Sequence, residues 1–264
     1  MKHPILHRSY KRAFPFRIGT TSYIYPGPML FNVQRLAPFM DEIELLLFES
    51  DHLPDAGEIE AIAGMAEETE LTFNVHLPLD VTLGHNASSR RMRSVAAVKE
   101  ALMRTASLMP SSACLHLEPG KAAGVPEAMA DWKLRCSESL QDIAHWRGDL
   151  NGIVVENLSY PLEWIEDLIE QFDISVCLDV GHLFRYGFDA ESTYGNFVDR
   201  IAIVHLHGVA GTKDHLGLDR LSPEHRMTML RMLKGFTKVV SIEVFAFDAL
   251  ASSLAALERW KNDL

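Results

Sequence analysis

The chain has 264 residues, 47% of them hydrophobic, with a net charge of −11. That length suits one large α/β domain with a sizeable core. The acidic balance opposes non-specific binding to nucleic acid, and no apolar run is long enough to cross a membrane. Three widely spaced cysteines, Cys114, Cys136 and Cys177, with no Cys-x-x-Cys pair, argue against a disulfide framework and a thiolate zinc site. A reducing cytoplasm is the expected compartment, and the composition leaves the oligomeric state open.

Residues 1–16, "MKHPILHRSYKRAFPF", are basic but lack the apolar stretch and small-residue cleavage site of a secretion signal. They read as a frayed N-terminal arm ahead of one domain over 17–264. From there, short runs rich in Val, Ile and Leu recur: "RIGTTS" (17–22), "EIELLLFE" (42–49), "LTFNVHLP" (71–78) and "ACLHLEP" (113–119). "GIVVENL" (152–158), "ISVCLDVGH" (174–182), "IAIVHLHGV" (201–209) and "VVSIEVF" (239–245) complete the set. The segments between them carry helical signals. "PDAGEIEAIAGMAEETE" opens with a proline and an acidic first turn. "SSRRMRSVAAVKEALMRTASLM" repeats apolar positions at helical spacing and stops at Pro110. "SPEHRMTMLRMLKG" offers Ser222 as N-cap, Pro223 at the first helical position and Gly235 as a stop. "DALASSLAALERWKN" begins at an aspartate that reads as a cap.

Strands alternating with helices imply parallel strands joined by crossover helices. Eight such units in about 250 residues is the length of a (β/α)₈ TIM barrel. The alternative, an open doubly wound sheet, calls for a glycine-rich phosphate turn after the first strand, and "GTTSYIYPG" is not one.

Polar residues fall at the C-terminal ends of the runs, where a barrel keeps its active site. Strand two ends in Glu49, strand three in His76 and strand four in His116, with Glu118 two residues on. Strand five ends in Glu156, and strand six in Asp179 followed by His182. Strand seven carries His205 and His207, and strand eight Glu243. Period-two alternation puts Val154 with Glu156, Cys177 with Asp179, and Ser241 with Glu243. Carboxylates so gathered cannot all ionise unprotected; one takes a proton or a cation binds. Imidazole and carboxylate together suit Zn²⁺ or Mn²⁺ first, and Fe²⁺ or Co²⁺, whereas Mg²⁺ prefers oxygen and water. Glu156, Asp179, His207 and Glu243 are the strongest ligand candidates, followed by His76 and His116. His182 reads as a ligand or proton carrier. His205, one layer deeper, and Glu49 read as supporting residues behind the ligands. Asp214 and His215 lie in the loop after strand seven.

This ring resembles the xylose isomerase-like TIM barrels, which include sugar isomerases and epimerases and the endonuclease IV type of abasic-site nuclease. "RIGTTSYIYP", "EIELLLFES", "NVHLPLD", "VVENLSYP", "VCLDVGHL", "VHLHGV" and "DHLGL" also resemble the cobamide-remodelling phosphodiesterase family CbiR. That resemblance implies hydrolysis of the phosphodiester joining the lower-ligand nucleoside of a B12-type cobamide to its corrin ring. It implies one metal on His76, His116 and Glu156, and a second on Glu156, Asp179, His207 and Glu243, with Glu156, His182 and Glu243 closest to the chemistry. His182, Asp214 and His215 would form a third metal position or bind substrate. The Asp-x-His spacing of endonuclease IV relatives is an adjacent pair here, which argues against a third ion. The rival reading is a sugar or sugar-phosphate isomerase or epimerase, which needs one metal, with Glu156 and Glu243 as its acid–base pair. An abasic-site nuclease and a non-catalytic binding protein stand behind these.

Overall fold

The computed structural model describes residues 3–264. Eight parallel strands close a barrel: β1 (Arg17–Thr21), β2 (Glu42–Leu46), β3 (Thr72–His76), β4 (Ala113–Leu115), β5 (Ile153–Glu156), β6 (Ser175–Asp179), β7 (Ile201–Leu206) and β10 (Val239–Ile242). The order β1-β10-β7-β6-β5-β4-β3-β2 is closed by the pairing of β1 with both β2 and β10. Two further strands, β8 (Gly208–Ala210) and β9 (Lys213–Leu216), form an antiparallel hairpin beyond β7. The expected loop carrying Asp214 and His215 is therefore the second strand of a hairpin.

The helices are α1 (Met29–Leu36), α2 (Ala56–Thr69), α3 (Ser88–Thr105), α4 (Pro126–Arg147), α5 (Glu166–Gln171), α6 (Val180–Tyr186), α7 (Ala190–Phe197), α8 (Pro223–Leu233) and α9 (Phe247–Arg259). Ser222 caps α8 as expected, accepting from the His225 N–H. Two boundaries differ from expectation. Asp55, not Pro54, sets the start of α2, its side chain accepting from Glu58 N–H at 2.9 Å. α9 begins one residue before Asp248, which sits in the first turn, where its charge still favours the helix dipole, and makes no capping bond.

Alternate residues of each strand face the helices or the barrel axis. Ile43, Val75, Val155, Leu178 and Val240 belong to the main core under the helices. A smaller cluster, Cys114, Val154, Cys177, Ile203 and Val239, fills the interior. On β5, β6 and β7 the residue two positions further along that inward face is Glu156, Asp179 and His205. The interior is thus packed up to one layer below the C-terminal mouth, and the polar ring sits on that layer.

From residue 3 onward the N-terminal segment is docked rather than frayed. Leu6, Tyr10, Phe14 and Phe16 are buried, Tyr10 N–H donates to Phe39 C=O at 2.8 Å, and Lys11 donates to Thr69 C=O. Arg8 and Arg12 reach Glu258 and Glu70. Arg8 and Arg12 pair with the barrel's own acidic groups and Lys11 with a backbone carbonyl, while the apolar positions between them dock.

Candidate metal centre

β5 ends by presenting Glu156 at the centre of the mouth, 1% exposed. Its Oε2 lies 3.0 Å from His116 Nε2 and 3.4 Å from His76 Nε2, and Oε1 lies 3.2 Å from His182 Nδ1. His76 and His116 come from the tips of neighbouring strands β3 and β4, and their Nε2 atoms approach to 3.1 Å. His76 Nδ1 is 3.0 Å from Leu77 C=O. A carbonyl can only accept, so the proton sits on Nδ1 and Nε2 keeps its lone pair. A lone pair, a second imidazole nitrogen and a carboxylate oxygen converging on one point is an arrangement that a cation satisfies.

The adjoining set contains one unexpected residue. The atoms that come within 4.8 Å of one another belong to Glu156, Asp179, His205 and Glu243. His205 Nδ1 is 3.2 Å from Glu243 Oε2 and 3.7 Å from Glu156 Oε2. His207, expected here, is elsewhere occupied. Its Nδ1 accepts the His215 backbone N–H at 3.0 Å, so its proton belongs on Nε2, 3.2 Å from Asp179 Oδ1. The Nε2–H faces Asp179 without a straight hydrogen bond, and with Nδ1 occupied His207 has no lone pair to offer an ion in this tautomer. The sequence places His205 too deep because β7 ends at Leu206, and His205 is in register with Asp179 itself.

Asp179 is held firmly. Asn157, the residue after Glu156, clamps the tip of β6: Asp179 N–H donates to Asn157 Oδ1 at 2.7 Å and Asn157 Nδ2 donates to Asp179 C=O at 2.9 Å. Asp179 Oδ1 also caps α6, accepting from His182 N–H at 2.6 Å. His182 is thus a first-turn helix residue rather than part of the strand. The helical position just before it, Gly181, has to be glycine: a Cβ there would lie 2.1 Å from His207 Cε1. Neither Asn157 nor Gly181 stands out in the sequence, although both flank candidate ligands.

His182, His207 and His215 form a third group. His215 Nδ1 is 3.1 Å from Glu243 C=O, which leaves Nε2 free. With no lone pair left on His207, only His182 and His215 have a nitrogen to offer. Asp214 does not join them; its carboxylate accepts from Arg185 Nε at 2.8 Å. Glu49 lies three residues past the end of β2, exposed and paired with His52 at 2.9 Å. The carboxylates that β2 sends into the interior are Glu42 and Glu44, both fully buried, and Glu44 Oε1 lies 3.1 Å from His205 Nε2.

Burial pushes the Glu156 carboxyl up, but the imidazoles of His116, His182 and His76 outweigh it and hold it well below the usual carboxylate range. Burial likewise opposes charge on His182, yet Asp179, Glu156 and Glu243 lift it to about 11. Even so, Glu156 Oε1, Asp179 Oδ2, Glu243 Oε2 and His205 Nδ1 are buried without an aligned hydrogen-bond partner. Buried polar atoms left so are costly, and these four belong to the ring. Divalent cations fit that donor set: imidazole nitrogens and carboxylate oxygens suit Zn²⁺ and Mn²⁺, with Fe²⁺ and Co²⁺ behind.

Above the ring is a cavity of about 310 Å³. Its floor carries His76, His116, Glu156, His182, His215 and Glu243. Its walls are largely apolar, with Leu79, Leu158, Phe48, Phe245 and Tyr186, and no lysine or arginine among the described residues lines it. Tyr23 stands against Phe48 edge-on, ring centroids 5.0 Å apart.

Among solved structures, the fold is similar to a D-tagatose 3-epimerase-like protein (19% identity, 93% of this chain and 97% of that one, TM-score 0.73). It is also similar to endonuclease IV from Thermus thermophilus (18%, 94% and 100%, TM-score 0.71). A third match is the apo form of 3-keto-D-glucoside 4-epimerase from E. coli (17%, 92% and 99%, TM-score 0.68). At these identities the likeness concerns the fold. No curated protein matches the sequence. No helix among the described residues is long and apolar enough to cross a membrane. The family model for the xylose isomerase-like TIM barrel matches residues 40–262, so the closed parallel barrel and its ring of histidines and carboxylates are those of a chain that belongs to that family.

Proposed function

We propose that the protein is a divalent-metal-dependent phosphodiesterase acting on a cobamide, releasing the lower-ligand nucleoside from the corrin side. The observation that carries this reading is the pairing of His76 and His116 on the same oxygen of Glu156, 3.4 and 3.0 Å away. With Glu156 also in the set of Asp179, His205 and Glu243, there are donors for two ions sharing one carboxylate. When bound, two divalent ions, Zn²⁺ or Mn²⁺ foremost, would neutralise phosphoryl charge and activate water near neutral pH. His76, His116 and Glu156 would hold the first, and Glu156, Asp179, His205 and Glu243 the second.

The chain's own groups do the rest. His207 and Asn157 fix Asp179. His182, with Nδ1 3.1 Å from Asn157 C=O, presents Nε2 as the atom that holds or delivers a proton to the leaving oxygen. The apolar walls exclude water from one side of the cavity and suit a flat ring system. With no lysine or arginine among the described residues on the lining, a substrate anion has to be met at the floor.

The rival is a one-metal sugar or sugar-phosphate epimerase. Glu156, Asp179, His205 and Glu243 would suffice for it, with Glu156 and Glu243 flanking the carbon acid. His76 and His116 then have no assigned work, and the apolar walls offer few partners to sugar hydroxyls. Against an abasic-site nuclease, no lysine or arginine among the described residues lines the cavity to meet a nucleic-acid backbone. The test is incubation of Zn²⁺- or Mn²⁺-loaded protein with a cobamide, products read by mass. The reading predicts a nucleoside or its phosphate and the corrin fragment. No cleavage, with turnover of a ketose, hands the site to the epimerase.

A further inference from the structure

Glu44 is a fully buried carboxylate that no lysine or arginine approaches among the described residues. Its Oε2 accepts from Ser241 Oγ at 2.8 Å. Its Oε1 has a single close polar neighbour on the opposite wall, His205 Nε2 at 3.1 Å, off-line for a straight hydrogen bond. Glu42, two residues earlier on the same inward face, has both oxygens satisfied. A buried carboxylate aimed at one imidazole nitrogen calls for a proton on that nitrogen.

We propose that Glu44 is a positioning residue that selects the ion-binding form of His205; this rests on the metal-site reading above. A neutral imidazole carries one N–H. With that proton on Nε2, facing Glu44, the Nδ1 lone pair faces Glu243 and Glu156 and is available to an ion. With the proton on Nδ1, an N–H points into those carboxylates, a lone pair confronts Glu44, and the ion loses its nitrogen. A carboxylate behind a ligating histidine fixes both tautomer and ring orientation. His207 on the same strand end carries its proton on Nε2 as well, but the His215 N–H occupies its Nδ1 lone pair, so it has no nitrogen left for an ion. The "VHLHG" stretch thus carries one ligand and one histidine with no free lone pair, and Glu44 and the β9 backbone decide which is which.

The test is Glu44→Gln, which keeps the shape and the acceptor for Ser241. Its amide nitrogen then faces His205 Nε2 and reverses the tautomer. Zinc affinity, measured against a chromogenic chelator, is expected to fall roughly 10–100-fold, with far-UV circular dichroism unchanged. Long-range ¹H–¹⁵N spectra of the zinc-loaded wild type, with the His205 signals identified by their loss in His205→Asn, are expected to show the proton on Nε2. Should Glu44→Gln fail to fold, those spectra decide alone. A proton on Nδ1, or unchanged zinc affinity in folded Glu44→Gln, overturns the role of Glu44 while leaving the metal centre standing. A wild type that binds no zinc overturns both.

Discussion

The two ends of the barrel bury the same kind of residue and treat it in opposite ways. At the N-terminal end Glu42 is completely enclosed, yet Oε1 accepts from Asn74 Nδ2 at 2.9 Å and Ser111 Oγ at 2.7 Å, and Oε2 from Thr72 Oγ1 at 2.8 Å and from Arg17. At the C-terminal end Glu156, Asp179 and Glu243 are also buried, but each keeps an oxygen without an aligned partner, and the cationic groups beside them among the described residues are histidines. A buried carboxylate is tolerable when paired and hydrogen-bonded. The lower end meets that condition with its own side chains. The upper end meets it in part, leaving coordination capacity that costs stability and is retained where chemistry needs it.

The sharpest way to break this contrast is Glu156→Ala. It removes the group common to both ion sets, so bound metal is expected to fall from two per chain to one or none by elemental analysis. Activity should fall by at least about 10²–10³-fold, as for loss of one electrostatic stabiliser. Two ions retained would show that the sets do not share Glu156.

pH sharpens the comparison next. Without metal, His182, lifted from 6.5 to about 11, contributes stability that is complete below pH 6.5 and is lost as pH rises toward 11. Glu156, held below its usual 4.5, contributes stability that is complete above pH 4.5 and is lost on acidification. The thermal midpoint of the metal-free protein is therefore expected to peak between pH 4.5 and 6.5 and decline on the alkaline side. Zinc needs neutral imidazoles, and the surrounding acidic groups outweigh burial and hold His76 and His205 well above 6.5, so zinc stabilisation should grow as pH rises beyond 6.5, to about 2.7 kcal/mol at a free concentration a hundred times Kd. Parallel melting curves with and without zinc across that range would contradict an ion-binding ring.

Most of this contrast is visible in the sequence, for a physical reason. A strand buried on both faces is apolar throughout, so a carboxylate or imidazole at its end stands out; Glu156, Asp179 and Glu243 are legible on that ground alone. The choice between His205 and His207 is not. It depends on a backbone N–H delivered by β9, and the hairpin is encoded by only seven residues between Gly208 and Leu216 outside its two-residue turn. Glu49 reads as the inward residue of strand two because it ends an apolar run. The pairing that fixes where β2 stops is non-local, and "EIE" carries both true inward carboxylates upstream of it. The arm misleads for a similar reason: its apolar residues Leu6, Tyr10, Phe14 and Phe16 dock on a distant part of the barrel, while Arg8 and Arg12 stay largely exposed.

Glu42→Ala probes the satisfied end. It strands Asn74 Nδ2 and Ser111 Oγ and removes the partner of half-exposed Arg17. A loss of roughly 1–3 kcal/mol is expected in urea unfolding, while metal content and activity per folded molecule stay as in the wild type. A matching loss of metal would mean the apolar layer of Cys114, Val154, Cys177, Ile203 and Val239 transmits strain between the ends.

The smallest effect lies outside the ring, at its aromatic rim. Phe48 is 38% exposed, Tyr23 49% and Phe245 39%, and all three lie close together at the mouth. Clustered exposed aromatics beside a polar floor mark a surface that a ligand covers. Phe48→Ser removes apolar area equivalent to about 1 kcal/mol of substrate contact, or roughly fivefold in KM, with kcat unchanged because the ring is untouched. A small phosphodiester that reaches only the floor should show no change in KM. The two substrates together separate the rim from the floor: an equal shift for both would mean that Phe48 shapes the metal centre, and no shift for the large one that the rim does not hold substrate.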